Sequence, residues 1–268
     1  MNTASVPVQR ELPEFYFDAL NLLEQANVPF LIGGAFAQSR YTKRYRETKD
    51  LDLIIRRADV AAAMAACEQA GYRTELTFPH WLAKIRDDQY VLDVVFSSGN
   101  GVLEVDEDWF TYAVDNELMG RPVKLCPVEE LLWSKAFIQE RERYDGNDVL
   151  HLLHARGAVL DWSRLLARFG EHWAILLGHL VLFMFVYPDR RGTIPRAVVD
   201  DLVDRFQQMR PEPNNPLCLG TLLSRQQYLF DIGRLGYADA RVEPHGSMTP
   251  VEAEIWTDAI ERDKPQQS

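Results

Sequence analysis

Residues 30–55 read FLIGGAFAQSRYTKRYRETKDLDLII, and this stretch decides how the rest of the chain is understood. An apolar run over 28–32 ends in Gly33-Gly34, the pattern of a short strand feeding a glycine turn and then a helix. Asp50-Leu51-Asp52-Leu53 then leads into Ile54 and Ile55, a strand whose carboxylates alternate with leucines. On a strand, residues i and i+2 share a face and lie roughly 6.6 Å apart along it. Asp50 and Asp52 therefore project side by side, and Leu51 and Leu53 turn to the opposite face.

Two neighbouring like charges repel and raise each other's pKa. A divalent cation between them removes that penalty. Mg²⁺ commonly takes one or two carboxylates with phosphate oxygens and waters, and two metals about 3.5–4 Å apart clamp both oxygens of an in-line displacement. Alone, the aspartate pair also fits an exposed edge strand with solvated carboxylates, and Gly-Gly alone also fits a plain tight turn. A third carboxylate, Asp93, sits inside the apolar run 90–96, the pattern of a strand covered on both faces. A buried carboxylate needs a metal or a cationic partner, and Arg86 is the nearest arginine in sequence.

Gly33-Gly34, then Asp50-Leu51-Asp52-Leu53, then Asp93 on a later strand, resembles the signature of the polymerase-β-like nucleotidyltransferase superfamily. The resemblance covers about residues 28–96, with a weaker match at about 127–153. The 15 residues between Gly34 and Asp50 form a longer spacer than is usual for that signature. In the weaker region, Trp133-Ser134-Lys135-Ala136 followed by Arg143, Asp145 and Asp148 is similar to the second motif of toxin-type members from bacterial abortive-infection systems. The resemblance implies an enzyme that moves a nucleoside monophosphate from an NTP, ATP foremost, to a hydroxyl or other nucleophile, releasing pyrophosphate. It implies Asp50, Asp52 and Asp93 as catalytic residues holding one or two Mg²⁺, with Asp93 also accepting a proton. It implies Gly33, Gly34 and Lys135 as nucleotide-binding residues, Lys135 meeting the triphosphate and Asp148 supporting the site.

Composition narrows the rest. The chain has 268 residues, 47% apolar and 26% charged, enough for a real core. A net charge of −11 opposes broad electrostatic capture of nucleic acid and favours a small cationic acceptor, such as an aminoglycoside-like compound, over long RNA. Cys67, Cys126 and Cys218 are far apart, which suits reduced thiols in a cytoplasmic protein. The densest basic cluster is the spacer, with Arg40, Lys43, Arg44, Arg46 and Lys49, read as a phosphate clamp or as a solvated loop. Ser39 and Thr48 join it as candidate phosphate contacts. His151, His154 and Asp148 lie one helical turn apart and form a weaker candidate set for a transition metal.

The expected fold is an α/β domain over 1–126, a mixed sheet with helices, followed by an α-helical domain over 127–268. Residues 1–10 and 264–268 read as loose ends, and 117–124 as a hairpin around Met119-Gly120. Pro127 opens a helix over 128–143, and a second follows to about 155. Beyond it only helices are expected, over 161–169, 171–187, 195–208 and about 217–230, with Thr193 capping the third. The helix over 171–187 is apolar all round and is expected to be the buried centre of this half, too short to span a membrane. A second class of function stays open: a non-catalytic module that binds nucleotide or a partner protein on the same fold.

Overall fold

The computed structural model describes residues 13–45, 50–212 and 215–260. The expectations for the two ends, and for Arg46, Thr48 and Lys49, lie outside these residues. Helix α1, Glu14–Gln25, buries Phe15, Tyr16, Ala19, Leu20 and Leu23 along one stripe. Strand β1 is only Leu31–Ile32 and passes through Gly33 into α2, Gly34–Thr42. Strand β2, Leu51–Ile54, precedes α3, Val60–Gln69. Strands β3, Arg73–Phe78, β4, Leu82–Arg86, and β5, Val91–Val95, follow. The turn between β4 and β5 is fixed by Asp87, whose Oδ1 accepts the amides of Gln89 and Tyr90 at 2.7 and 2.6 Å. A short helix α4, Glu107–Thr111, leads to β6, Val114–Leu118, and β7, Arg121–Leu125. Met119 and Gly120 take φ of 51° and 86°, the paired left-handed conformation of a tight hairpin turn.

These strands form one mixed sheet in the order β3-β4-β5-β2-β1-β7-β6. β2 runs antiparallel to β1 and parallel to β5, and β4 runs antiparallel to β5. The register sets Asp52 opposite Asp93 and Asp93 opposite Lys84. Three charged side chains thus occupy one row across three adjacent strands.

Helices α5, Val128–Ala136, α6, Gly146–Arg156, α7, Trp162–Phe169, α8, Trp173–Val186, and α9, Arg196–Gln208, follow the sheet. Their core is continuous with that of the sheet. Helix α5 is shorter than the expected 128–143: it stops at Ala136, and Gln139 pairs with Tyr144 in a small bridge that carries Arg143. Thr193 does not cap α9; its hydroxyl donates to the Arg190 carbonyl, and Pro195 holds the cap position without a side-chain bond.

Helix α8 departs from its expected role. Only Leu176, His179, Leu180 and Phe183 are buried, while Phe185 is 80% and Val181 59% exposed. The neighbouring helices cover one stripe and leave the opposite apolar face open. By length and composition the run Trp162–Val186 reaches a membrane span, with mean hydropathy 1.6 and 28% buried. Gly170, at φ 48°, turns it into two packed helices.

The last segment also differs from expectation. In place of a helix over 217–230, β8, Leu217–Cys218, pairs in parallel with β9, Ala238–Asp239. A 3-10 turn at Leu219–Leu222 and the short helix α10, Leu229–Leu235, lie between them. Gly220 permits this path, since a Cβ there would meet the Tyr228 ring at 2.4 Å. Helix α11, Pro250–Asp258, closes the described chain under a capping box made by Thr249 and Glu252.

Candidate active site

The glycine turn is built around Asp52. Gly34 has φ 51°, and a Cβ at this position would lie 1.7 Å from Asp52 Oδ2. A side chain is therefore barred by backbone conformation and by the carboxylate itself. Gly33 donates its amide to the Asp52 carbonyl at 2.9 Å, so this N–H serves the sheet. The alternation read from the sequence holds, with Leu51 and Leu53 buried, Asp52 half-buried and Asp50 exposed just before β2.

Asp52 and Asp93 line one cavity of about 230 Å³ together with Gly34, Lys135 and Arg143; Asp50 lies outside its wall. Burial, then the neighbouring Asp93 charge, pushes Asp52 up from 3.8 to about 6, against the opposing pull of Lys135 and Arg143. Asp93 is also raised by burial, and the Lys84 ammonium opposes the rise. Lys84 Nζ donates to Asp93 Oδ1 at 2.6 Å. The cationic partner of Asp93 is therefore Lys84, from the facing strand, while Arg86 turns to Glu75 at 2.9 Å. Lys84 and Arg86 share a strand face, but the register sets Lys84 opposite Asp93 and Arg86 opposite Val91.

On the helical side, Lys135 is buried and its Nζ donates to Asp145 at 3.1 Å and Asp148 at 2.8 Å. Arg143 grips Asp145 through Nε and a terminal nitrogen at 3.1 and 2.9 Å. These bonds hold the Asp145 carboxyl below its ordinary value, although burial alone would raise it. Asp148 lies in the first turn of α6, where the helix dipole favours negative charge. Lys135, Arg143, Asp145 and Asp148, separated in sequence, form one network whose cations face the cavity.

The spacer cations go elsewhere. Arg40 donates to the Glu117 carbonyl at 2.7 Å, and Arg44 lies 3.1 Å from His151 Nε2. Lys43 ends α2 in a left-handed conformation, and the Ser39 hydroxyl donates to the Phe36 carbonyl at 2.7 Å. His154 packs on the Tyr187 ring at 4.6 Å, and Asp148 is taken by Lys135. His151, His154 and Asp148 therefore do not assemble, and among the described residues no three His, Cys, Asp or Glu side chains form a metal-binding group. Among the described residues Asp52 and Asp93 fit Mg²⁺, which accepts as few as one or two protein carboxylates. Two observations support that fit: the like-charge interaction raising Asp52, and an ammonium already drawn to Asp93.

Sequence reasoning did not find the wall contributed from the end of the chain. Thr221, Leu222, Ser224, Arg225 and Trp256 all line the cavity. Asn100 Nδ2 donates to the Leu222 carbonyl at 2.7 Å, and Trp256 packs on Phe78 and Trp81 at centroid distances of 5.0 and 5.1 Å. Gly99 was a signal in hindsight, because a Cβ there would meet the Trp256 ring at 2.4 Å.

No protein-family model and no curated protein matches the chain. Solved structures do. One is the antibiotic-resistance factor ANT(2'')-Ia, at 20% identity and TM-score 0.44, covering 62% of this chain and 95% of its own. The lincosamide antibiotic adenylyltransferase LnuA matches at 17% identity and TM-score 0.39, covering 53% of this chain and 96% of its own. An antigenic nucleotidyltransferase-like protein from Paracoccidioides brasiliensis matches at 16% identity and TM-score 0.45, covering 69% and 95%. The structures similar to this chain thus include antibiotic nucleotidyltransferases and nucleotidyltransferase-like proteins.

Proposed function

We propose that this protein is a Mg²⁺-dependent nucleotidyltransferase that moves a nucleoside monophosphate from an NTP, ATP foremost, to a hydroxyl of a small molecule. The observation that carries the reading is the row formed by Asp52 and Asp93, opposite each other on adjacent strands and facing Lys135 and Arg143 across one cavity. Bound Mg²⁺ would supply charge stabilisation at the reacting phosphoryl group, held by Asp52 and Asp93, with Asp50 at the exposed end of β2. Lys135 and Arg143 line the same cavity and would supply two cations to the triphosphate oxygens. Asp145 and Asp148 fix the Lys135 ammonium, so that it is oriented before nucleotide arrives. Gly34 keeps the space beside Asp52 free of a side chain. Asp93, raised by burial, is suited to take the proton of the attacking hydroxyl.

The test is incubation with each α-labelled NTP, Mg²⁺ and a cell extract, following the label into small molecule, RNA or protein. Label in a small molecule, with pyrophosphate released, supports the reading. Mg²⁺-dependent nucleotide binding without transfer to anything would refute it in favour of the non-catalytic module.

A further inference from the structure

The far wall of the cavity carries information about the acceptor. Among the described residues four carboxylates line the cavity, and three are already answered by cations. Asp93 holds Lys84, and Asp145 holds Lys135 and Arg143. Glu140 holds Arg225 in a buried two-point pair at 2.8 and 3.1 Å. The transfer reading gives the fourth, Asp52, to the metal together with Asp93. The net charge of −11 is thus spread over the molecular surface and does not describe this wall. A polycationic acceptor would find no free carboxylate among these three.

What the wall offers instead is aromatic surface. Trp81, Trp109, Trp256 and Phe137 line it, with Leu222 and Ile138. Trp256 is held on both sides, edge-on to Trp81 at 5.1 Å and beneath the Arg225 guanidinium at 4.0 Å. Trp109 is 4% exposed, and its indole N–H, like that of Trp81, has no hydrogen-bond acceptor among the described residues. Both nitrogens are shielded from solvent, so the wall offers ring surface and not donors. A cavity of about 230 Å³ admits a small molecule rather than a macromolecule.

We propose that the acceptor is an uncharged, flat, aromatic or largely apolar small molecule that carries a nucleophilic hydroxyl. It lies against the wall made by Trp81 and Trp256. This rests on the transfer reading above and specifies its second substrate. In the reaction the acceptor hydroxyl oxygen forms a bond to the α-phosphorus of the NTP. The bond from that phosphorus to the bridging oxygen of the pyrophosphate breaks. The hydroxyl proton passes to Asp93, and pyrophosphate leaves. Trp256 and Trp81 are specificity-determining residues, since they touch the acceptor away from the reacting atoms.

The test uses the full chain in titration calorimetry, with 4-hydroxyacetophenone as a neutral flat probe, kanamycin as a polycationic one, and Mg·ATP in a parallel titration. Saturable binding of 4-hydroxyacetophenone is expected, with no saturation by kanamycin. Trp256→Ala should weaken the phenol about tenfold, the loss of one aromatic contact with its buried area. Should Trp256→Ala melt early, Trp256→Phe retains a flat ring and should keep binding within about threefold of wild type. Trp81→Leu, which removes the flat ring from the wall, should also weaken the probe. Kanamycin saturating in place of the phenol, or a phenol affinity indifferent to both Trp256→Ala and Trp81→Leu, overturns the proposal. If wild type binds Mg·ATP and neither probe behaves as described, the acceptor inference fails alone. If Mg·ATP itself does not bind, the transfer reading fails with it.

Discussion

Replacing Asp52 with Asn keeps the size and shape of the side chain and removes one charge from the row that it shares with Asp93. In the wild-type fold Asp52 is raised from 3.8 to about 6, chiefly by burial and then by Asp93. A rise of this size is worth about 3 kcal/mol. The sign follows from which state binds the proton more tightly. The folded state does, so the associated stability is fully present below about pH 4 and is lost as pH climbs through about 6. At pH 7.5 without metal, the wild type therefore carries an ionised carboxylate that its surroundings disfavour, and Asp52→Asn does not. The variant should melt higher at pH 7.5, by up to about 6–12 °C at roughly 2–4 °C per kcal/mol for a chain of this size. The gap should close near pH 4. Added Mg²⁺ should raise the wild type and leave the variant almost unmoved. Nucleotide transfer should fall by at least about a hundredfold, because metal catalysis supplies several kcal/mol of transition-state stabilisation. The measurements are melting by scanning fluorimetry with and without chelator across this pH range, and label transfer from α-labelled ATP. A metal-free variant that melts below wild type at pH 7.5, or one that transfers label at the wild-type rate, would refute the reasoning.

Lys84→Met should destabilise the metal-free protein by about 1–2 kcal/mol, because Asp93 keeps its charge and loses its ammonium. Mg²⁺ should then raise the melting temperature of the variant more than that of wild type, and equal Mg²⁺ responses would contradict a shared place for the two cations. Gly34→Ala should cost at least about 1–2 kcal/mol from its left-handed backbone alone, and more from the 1.7 Å overlap with Asp52 Oδ2, as read by chemical denaturation. Leu180→Asp, at a fully buried position, should lower stability by about 4 kcal/mol, while Phe185→Asp on the open face of α8 should stay within about 0.5 kcal/mol. Similar melting temperatures for that pair would show that the two faces of α8 do not differ as described.

The sheet was legible because its signals are local. Alternation at 50–53, the apolar run around Asp93 and the Met119-Gly120 turn each state a backbone geometry within a few residues. The misreadings arose where neighbours decide the outcome. An apolar-all-round pattern made α8 look like a central helix, yet periodicity cannot reveal that partners cover only one stripe. The run 128–143 keeps a helical composition past Ala136, but the backbone of Gln139 is captured by the Leu223 carbonyl at 3.1 Å, a bond to a segment more than eighty residues away. The segment expected as a helix over 217–230 instead forms an extended strand and a 3-10 turn, and Thr221 and Leu222 of that turn line the cavity.

Register explains both what the site signature revealed and what it concealed. The two aspartates of a DxD pair share a face by strand geometry alone, and that much is fixed within three residues. Whether Asp93 stands beside Asp52, and which cation stands beside Asp93, depends on how three strands slide past one another. A slip of one residue between β4 and β5 would present a hydrophobic neighbour, Ala83 or Ile85, in place of Lys84. The observed register is locked by apolar pairs on the other face, Ile85 opposite Leu92 and Ala83 opposite Val94, all fully buried. The core therefore positions the charged row: the leucines and valines that read as plain strand residues are what hold Asp52, Asp93 and Lys84 level, and a change in that packing would act on the chemistry without touching a single charged group.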